Sequence, residues 1–167
     1  MKQLYLMCGL AFAGKTTLGS ALCERLGAGW ISLDEINAGR GLHGGLGIPV
    51  AEWARTHRLA LEQLAALAER GSPIVLDDTN CFRWLRDSYR EIAAAHGYVT
   101  TVVLFDVPLA LALERLRAND DDRARAPVRE DILRELARTF EYPAQDERVV
   151  RLPAGEPLSA WLERCLR

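Results

Sequence analysis

Gly9-Leu10-Ala11-Phe12-Ala13-Gly14-Lys15-Thr16 is a G-x-x-x-x-G-K-[ST] run between an apolar stretch and a helix-like one. A glycine-rich turn joining a buried parallel strand to a helix start aims successive backbone N–H groups at one anion, and the positive helix end adds to that field. Leu4 to Cys8 reads as the strand, and Thr17 to Leu26 has helical apolar spacing. The ligand implied is a nucleoside triphosphate. The backbone of Gly9, Ala11, Phe12, Ala13, Gly14 and Lys15 through Thr17 is expected to cradle phosphate oxygens. Lys15 would reach the β- and γ-phosphates, and Thr16 would offer its hydroxyl to Mg²⁺. Lys15 is one of only two lysines, beside nineteen arginines. In so arginine-biased a chain, lysine at this position points to a slim ammonium where a planar guanidinium would not fit.

The chain has 167 residues, 49% of them hydrophobic and 26% charged, which allows one α/β domain with a proper core. No apolar run approaches bilayer-spanning length, and the first strand begins at once, so the expected location is cytoplasmic. Cys8, Cys23, Cys81 and Cys165 are scattered without a C-x-x-C pair and read as reduced core thiols. A formal net charge of −2 argues against a general nucleic-acid coat.

Strand-like and helix-like segments alternate along the chain. Trp30 to Leu33 reads as a second strand ending in Asp34-Glu35, and Gly39 to Pro49 as a mobile glycine-rich loop. A long amphipathic helix is expected from Val50 to Arg70, and a buried strand at Ile74-Val75-Leu76 runs into Asp77-Asp78-Thr79-Asn80. A helix carrying Trp84 and Tyr89, a strand from Val99 to Phe105 and a helix from Leu109 to Leu116 follow. The polar segment Arg117 to Pro127 should interrupt the helical pattern, which resumes from Val128 to Phe140. A fifth strand at Arg148 to Leu152 and a helix at Leu158 to Leu166 close the chain. This alternation predicts a P-loop α/β three-layer sandwich with a five-stranded, mainly parallel sheet and an arginine-bearing lid near residues 117–127. Ligands of such sheets bind beyond the carboxyl ends of the strands, where Lys15, Asp34, Asp77 and Asp78 all fall.

Phosphoryl transfer requires a metal between phosphates, a group to take the acceptor's proton, and positive charge around the moving phosphoryl. Asp77 is the candidate for the metal shell and Asp78 for positioning. Asp34 is the candidate base, with Glu35 as its rival. Arg115, Arg117, Arg123, Arg125 and Arg129 flank the polar break and are candidates for the lid. Phe82, Trp84 and Tyr89 have the spacing of core aromatics. His57 and His96 show no partner signature, and His43 is a lone loop histidine.

The strand–loop–helix of Gly9 to Thr17, the strand ending in Asp34-Glu35, the Asp77-Asp78-Thr79-Asn80 segment, Phe105-Asp106-Val107-Pro108 and Glu114-Arg115 occur here in a familiar order. From Met1 to about Pro143 the chain resembles the P-loop kinases that are similar to the 5′-kinase domain of polynucleotide kinase. That group includes zeta-toxin-like and chloramphenicol-phosphotransferase-like kinases. The resemblance implies a base at Asp34, substrate contacts from Asp78, Thr79 and Asn80, and lid arginines at Arg115 and Arg123. Asn37 stands where the polynucleotide kinases carry an arginine for the acceptor's phosphate, and the lid is lengthened by its aspartates.

The expected protein is an ATP- and Mg²⁺-dependent kinase acting on a hydroxyl of a small or nucleotide-like acceptor. The acceptor side would comprise Asn37 to Pro49 and Phe82 to Arg86, with Asn37 and Arg86 touching substrate. A 5′-hydroxyl polynucleotide kinase is the alternative within enzymes, and nucleic acid is a less favoured partner. A nucleotide-binding regulatory switch is the alternative of another class. Oligomeric state and acceptor identity are left open by the residues.

Overall fold

The computed structural model describes residues 2–42, 47–122 and 128–165. Five strands, β1 (Gln3–Cys8), β2 (Gly29–Ser32), β3 (Ile74–Asp77), β4 (Val99–Asp106) and β5 (Val149–Pro153), form one sheet in the order β2-β3-β1-β4-β5. Every pairing is parallel, with Met7 opposite Asp77 and Cys8 opposite Leu104. The central strand β1 therefore delivers the glycine-rich loop between the ends of β3 and β4.

Strand periodicity sorts the core into two layers, because successive side chains point to opposite faces. Leu4, Leu6, Cys8, Ile31, Ile74, Leu76, Val102 and Leu104 face α3 (Val50–Glu69) and α4 (Arg83–Ala95). Met7, Val75, Val103 and Phe105 face α1 (Lys15–Leu26) and α7 (Leu158–Cys165), where Trp161 is buried. The same alternation continues past Leu76. Asp77 has the parity of Val75 and turns to the α1 face, and Asp78 has the parity of Leu76 and turns to the opposite one.

A third cluster sits at the carboxyl end of the sheet. Leu10 packs with Ala112, Leu113 and Leu116 of α5 (Leu109–Asp122) and Leu133 of α6 (Glu130–Thr139), and Ala11 and Phe12 lie against them. Two helices are thereby seated directly on the phosphate-type loop.

Two boundaries differ from the sequence expectation. Leu33, expected to close the second strand, instead opens a short helix, α2 (Leu33–Gly39), ahead of the glycine-rich loop. The Ser32 hydroxyl accepts the Glu35 N–H, and the acids Asp34 and Glu35 lie in the first turn, so a cap and the helix dipole start this helix despite its length. Helix α5 continues through Arg117 to Asp122, since no glycine or proline stops it before Pro127. The sheet is wholly parallel. His43 to Leu46 of the expected mobile loop, and Arg123 and Arg125 of the expected lid, lie outside the described residues. Among the described residues no helix is long and apolar enough to cross a membrane.

Candidate active site

The loop after β1 is held by backbone geometry that the two glycines permit. Gly9 has φ 153°, and its N–H donates to the Thr79 carbonyl at 2.9 Å, tying the loop to the turn after β3. A Cβ on Gly9 would meet the Phe105 Cβ at 2.9 Å and the Phe105 carbonyl oxygen at 3.1 Å. Gly9→Ala is therefore expected to lose about 1–3 kcal/mol of stability and to weaken Mg·ATP binding. Urea midpoints and calorimetry read the two effects; an unchanged midpoint would show that the loop accommodates the methyl.

Phe12 adopts φ 62°, a strained value for a non-glycine residue, and its carbonyl accepts from Arg115 Nη1 at 3.0 Å. Gly14, at φ 99°, is the N-cap of α1, and no side chain caps that helix end. The first-turn N–H groups of Lys15, Thr16 and Thr17 thus have no intrahelical acceptor, the condition under which a helix start takes an anion.

Lys15 is only 8% exposed, and its Nζ donates to the Leu10 carbonyl at 2.8 Å. Burial holds its ammonium below the usual lysine range, against the opposing fields of Asp77, Asp78, Cys8 and Asp34. Three parts of the chain, the ends of β1 and β3 and the start of α2, thus converge electrostatically on one amine. Thr16 Oγ1 donates to Asp77 Oδ2 at 2.7 Å, the pairing that strand parity and the start of α1 prepare.

These two oxygens fit magnesium, a hard cation that keeps water and phosphate ligands and needs few from protein. Among the described residues no group of three or more His, Cys, Asp or Glu side chains is arranged to hold a metal by itself.

Asp78, on the opposite face, is pushed above the usual aspartate range by burial; the Thr79 N–H and Lys15 oppose the rise, and Asp34 adds to it. Asp34 is exposed in the first turn of α2 and within electrostatic reach of both Lys15 and Asp78. Its rival Glu35 accepts from Trp30 Nε1 at 2.9 Å. The two neighbouring carboxylates thus differ in surroundings: Glu35 has a Trp30 partner, and Asp34 adds to the field at Lys15 and Asp78.

Asn80 takes φ 47° and is fully buried; its Nδ2 donates to the Met7 carbonyl at 2.8 Å. The left-handed conformation is one that asparagine tolerates better than most residues. Thr79 Oγ1 faces the Cys81 sulfur at 3.6 Å.

Asn80, expected to touch substrate, is thus an interior group, and two further expected substrate contacts are occupied elsewhere. Asn37 is 3% exposed, and its Oδ1 accepts from Thr56, whose hydroxyl also accepts from Arg40. Arg86 is fully buried, with Nε and Nη2 on the Glu147 carboxylate and Nη1 on the Asn80 and Glu141 carbonyls. Arg86 is an interior group, not an acceptor contact, because the fourth position of α4 points back at the sheet. Tyr89 is buried as expected of a core aromatic, but Trp84 is 59% exposed. It stands edge-on to His57 at 5.5 Å. His57 has partners that its sequence context does not announce: Nδ1 lies 3.0 Å from Tyr89 Oη and Nε2 3.1 Å from Ser88 Oγ.

Arg117 pairs with Glu130 and Arg129 with Asp131 on the surface. Beside the loop, a cleft of about 340 Å³ opens among Gly9, Leu10, Asp106, Pro108, Arg138 and Tyr142. It lies at the carboxyl ends of β1 and β4, where open parallel sheets take ligands.

The family described as AAA domain matches residues 4–143. No curated protein matches the sequence. Among solved structures, a sugar kinase from Janibacter sp. is 19% identical with a TM-score of 0.78, over 99% of this chain and 92% of that one. A gluconokinase from Sinorhizobium meliloti 1021 is 20% identical with a TM-score of 0.69, over 97% and 88%. The APS kinase of Mycobacterium tuberculosis, in complex with AMPPNP and APS, is 16% identical with a TM-score of 0.70, over 98% and 95%. At such identities the likeness is one of fold: a P-loop NTPase-like kinase fold over nearly the whole of each chain.

Proposed function

The chain belongs to this AAA domain family, and from that membership we propose that it is an ATP-dependent kinase transferring the γ-phosphoryl group to a hydroxyl of a small molecule. The observation that carries the reading is the convergence of Lys15, Asp34, Asp77 and Asp78 around one loop, with Thr16 already paired to Asp77. A module that only bound nucleotide would need the loop and the metal pair. The two further acids, Asp34 and Asp78, are what an acceptor requires.

In this reading the N–H groups from Gly9 to Thr17 bind the phosphate chain, and Lys15 spans its β- and γ-phosphates. Thr16 and Asp77 would hold Mg²⁺, which supplies charge neutralisation on the phosphate oxygens when bound. Asp78 orients the acceptor hydroxyl, and Asp34 accepts its proton as the oxygen bonds to the γ-phosphorus and the β–γ bridge breaks to release ADP. Arg115, bonded to the Phe12 carbonyl, couples α5 to the loop and is proposed as a lid arginine on that contact. Arg123 is proposed for the same cluster from its motif position alone.

A small acceptor is preferred to an oligonucleotide because the arginines around the α2–α3 and Asn80 turns are already committed. Arg40 pairs with Glu52, Arg83 with Asp87 and Asp146, and Arg86 with Glu147. A polynucleotide acceptor needs cations for its backbone phosphates.

The test is transfer of labelled γ-phosphate to oligonucleotides, nucleosides, sugars, aminoglycosides and phenicols in parallel. Transfer to one of the small alcohols is expected. Salt-sensitive transfer to an oligonucleotide 5′-end would replace this reading with the polynucleotide kinase one. Slow hydrolysis without any acceptor, with a partner that binds only one nucleotide state, would replace it with a switch.

A further inference from the structure

We propose that Arg86 and Glu147 are a positioning pair that sets the Asp78-Thr79-Asn80 turn in its working geometry. The proposal rests on the kinase reading and assigns to it two residues that touch neither nucleotide nor acceptor.

Both side chains are fully buried, and the contact is bidentate: Nε to Oε1 at 2.7 Å and Nη2 to Oε2 at 3.0 Å. The remaining fork nitrogen, Nη1, donates to the Asn80 carbonyl at 2.9 Å and to the Glu141 carbonyl at 2.9 Å. Asn80 is thus gripped from two sides, its carbonyl by Arg86 and its amide by the Met7 carbonyl of β1. Its Oδ1 is buried with no hydrogen-bond partner, and its backbone is in the left-handed region. A residue carrying both costs relaxes unless its surroundings hold it.

Arg86 holds it together with the Met7 carbonyl and the Cys8 thiol, whose Sγ donates to the Asn80 carbonyl at 3.3 Å. The turn in turn fixes the phosphate loop, through the Thr79 carbonyl that accepts the Gly9 N–H. The segment after α6 straps the outer side: the Glu141 N–H donates to the Cys81 carbonyl at 2.8 Å, and Glu141 Oε2 accepts the Arg83 N–H at 2.6 Å. Glu147 is itself steadied by the Ala144 N–H. Burial would raise its carboxyl, but the hydrogen bonds from Arg86 and Ala144 bring it below the usual glutamate range.

A buried ion pair is a poor source of stability, since apolar residues of like volume do as well or better. Its use here follows from geometry. Only a planar guanidinium presents enough N–H groups in fixed directions to bind a carboxylate and two carbonyls together.

Two variants test the proposal against a control. Arg86→Lys keeps the charge and loses the fork. The double variant Arg86→Met/Glu147→Leu removes both charges together, so no unpaired ion is left buried, and it takes from the Asn80 and Glu141 carbonyls their Arg86 donor. Leu22→Ala, in the core on the α1 face, supplies a destabilised protein with the turn untouched.

The local readout is alkylation of Cys81 by iodoacetamide, followed by peptide mass. Cys81 is 3% exposed and its thiol is pushed up to about 11 by burial, so labelling reports opening of the turn. Both variants should label at least about tenfold faster than Leu22→Ala when compared at equal global stability. Mg·ATP affinity by calorimetry should change little. Turnover with the acceptor found in the screen should fall about 100-fold, with the KM for ATP unchanged, as for a misplacement of about 1 Å at a reacting group.

The double variant is decisive. A pair that only stabilises the fold would be replaced with full turnover, whereas a positioning pair would not. Labelling no faster than the control, or wild-type turnover in the double variant, overturns the proposal. Failure of the wild-type protein to bind Mg·ATP would instead overturn the kinase reading, and Cys81 labelling would still decide whether the pair holds the turn.

Discussion

Replacing Lys15 with methionine is expected to abolish phosphoryl transfer without lowering the stability of the nucleotide-free protein. The activity loss should reach about 100- to 1000-fold or more, the size seen when one preorganised positive donor is removed from a developing oxyanion. The stability half of the expectation follows from burial. Lys15 is 8% exposed, and its ammonium sits below the ordinary lysine value because burial outweighs three nearby carboxylates and Cys8. A folded-state pKa depressed below the unfolded one means that the charged amine costs the native state free energy at neutral pH. That cost disappears as pH rises through the unfolded value of about 10.4.

Methionine removes the cost and fills nearly the same volume. The urea midpoint at pH 7 should therefore hold or rise, while coupled-assay turnover vanishes. A clear drop in the midpoint would show that Lys15 is chiefly a structural tie to the Leu10 carbonyl.

Asp34→Asn should lower transfer by about 100- to 10,000-fold, the range for a positioned general base, with Mg·ATP affinity retained. Asp34 is exposed on the first turn of α2, so its amide isostere should shift stability by no more than about 0.5 kcal/mol. The paired control is Glu35→Gln. Glu35 is bonded to Trp30, and its variant should retain turnover. If Glu35→Gln were the slow one and Asp34→Asn the active one, the two roles would be exchanged. Calorimetry and initial rates on the same samples separate loss of binding from loss of chemistry.

Much of the fold can be read along the chain because its signals are local. The apolar run at Leu4 to Cys8, the glycine spacing and the helical pattern after it announce β1, the loop and α1. Asp77 and Asp78 announce the end of β3. Helix α2 is hidden because its seven residues are too few for a periodic pattern to show, and its start depends on a single serine cap. The continuation of α5 past Arg117 is hidden by its charge, which resembles a loop.

At the site, candidate residue types are legible and their partners are not. Arg86 looks like an acceptor contact until its partner 61 residues away, Glu147, is brought beneath it. Asn37 looks like a substrate contact until Thr56, 19 residues on, takes its side chain. His57 shows no partner until α3 and α4 meet and supply Tyr89 and Ser88.

The amino-acid order alone determined that this protein has an anion-gripping loop between a strand and a helix, and that acids stand at the ends of two further strands. Those are statements about neighbours in the chain, where backbone conformation and period-two alternation act over a few residues. Tertiary structure alone decided which partner each of these groups meets. Asp77 meets Thr16 because β3 lies beside β1, Glu35 is withdrawn by Trp30, and a buried guanidinium secures Asn80. Such pairings depend on distances across the sheet and on which groups exclude water together, quantities that exist only once remote segments are packed.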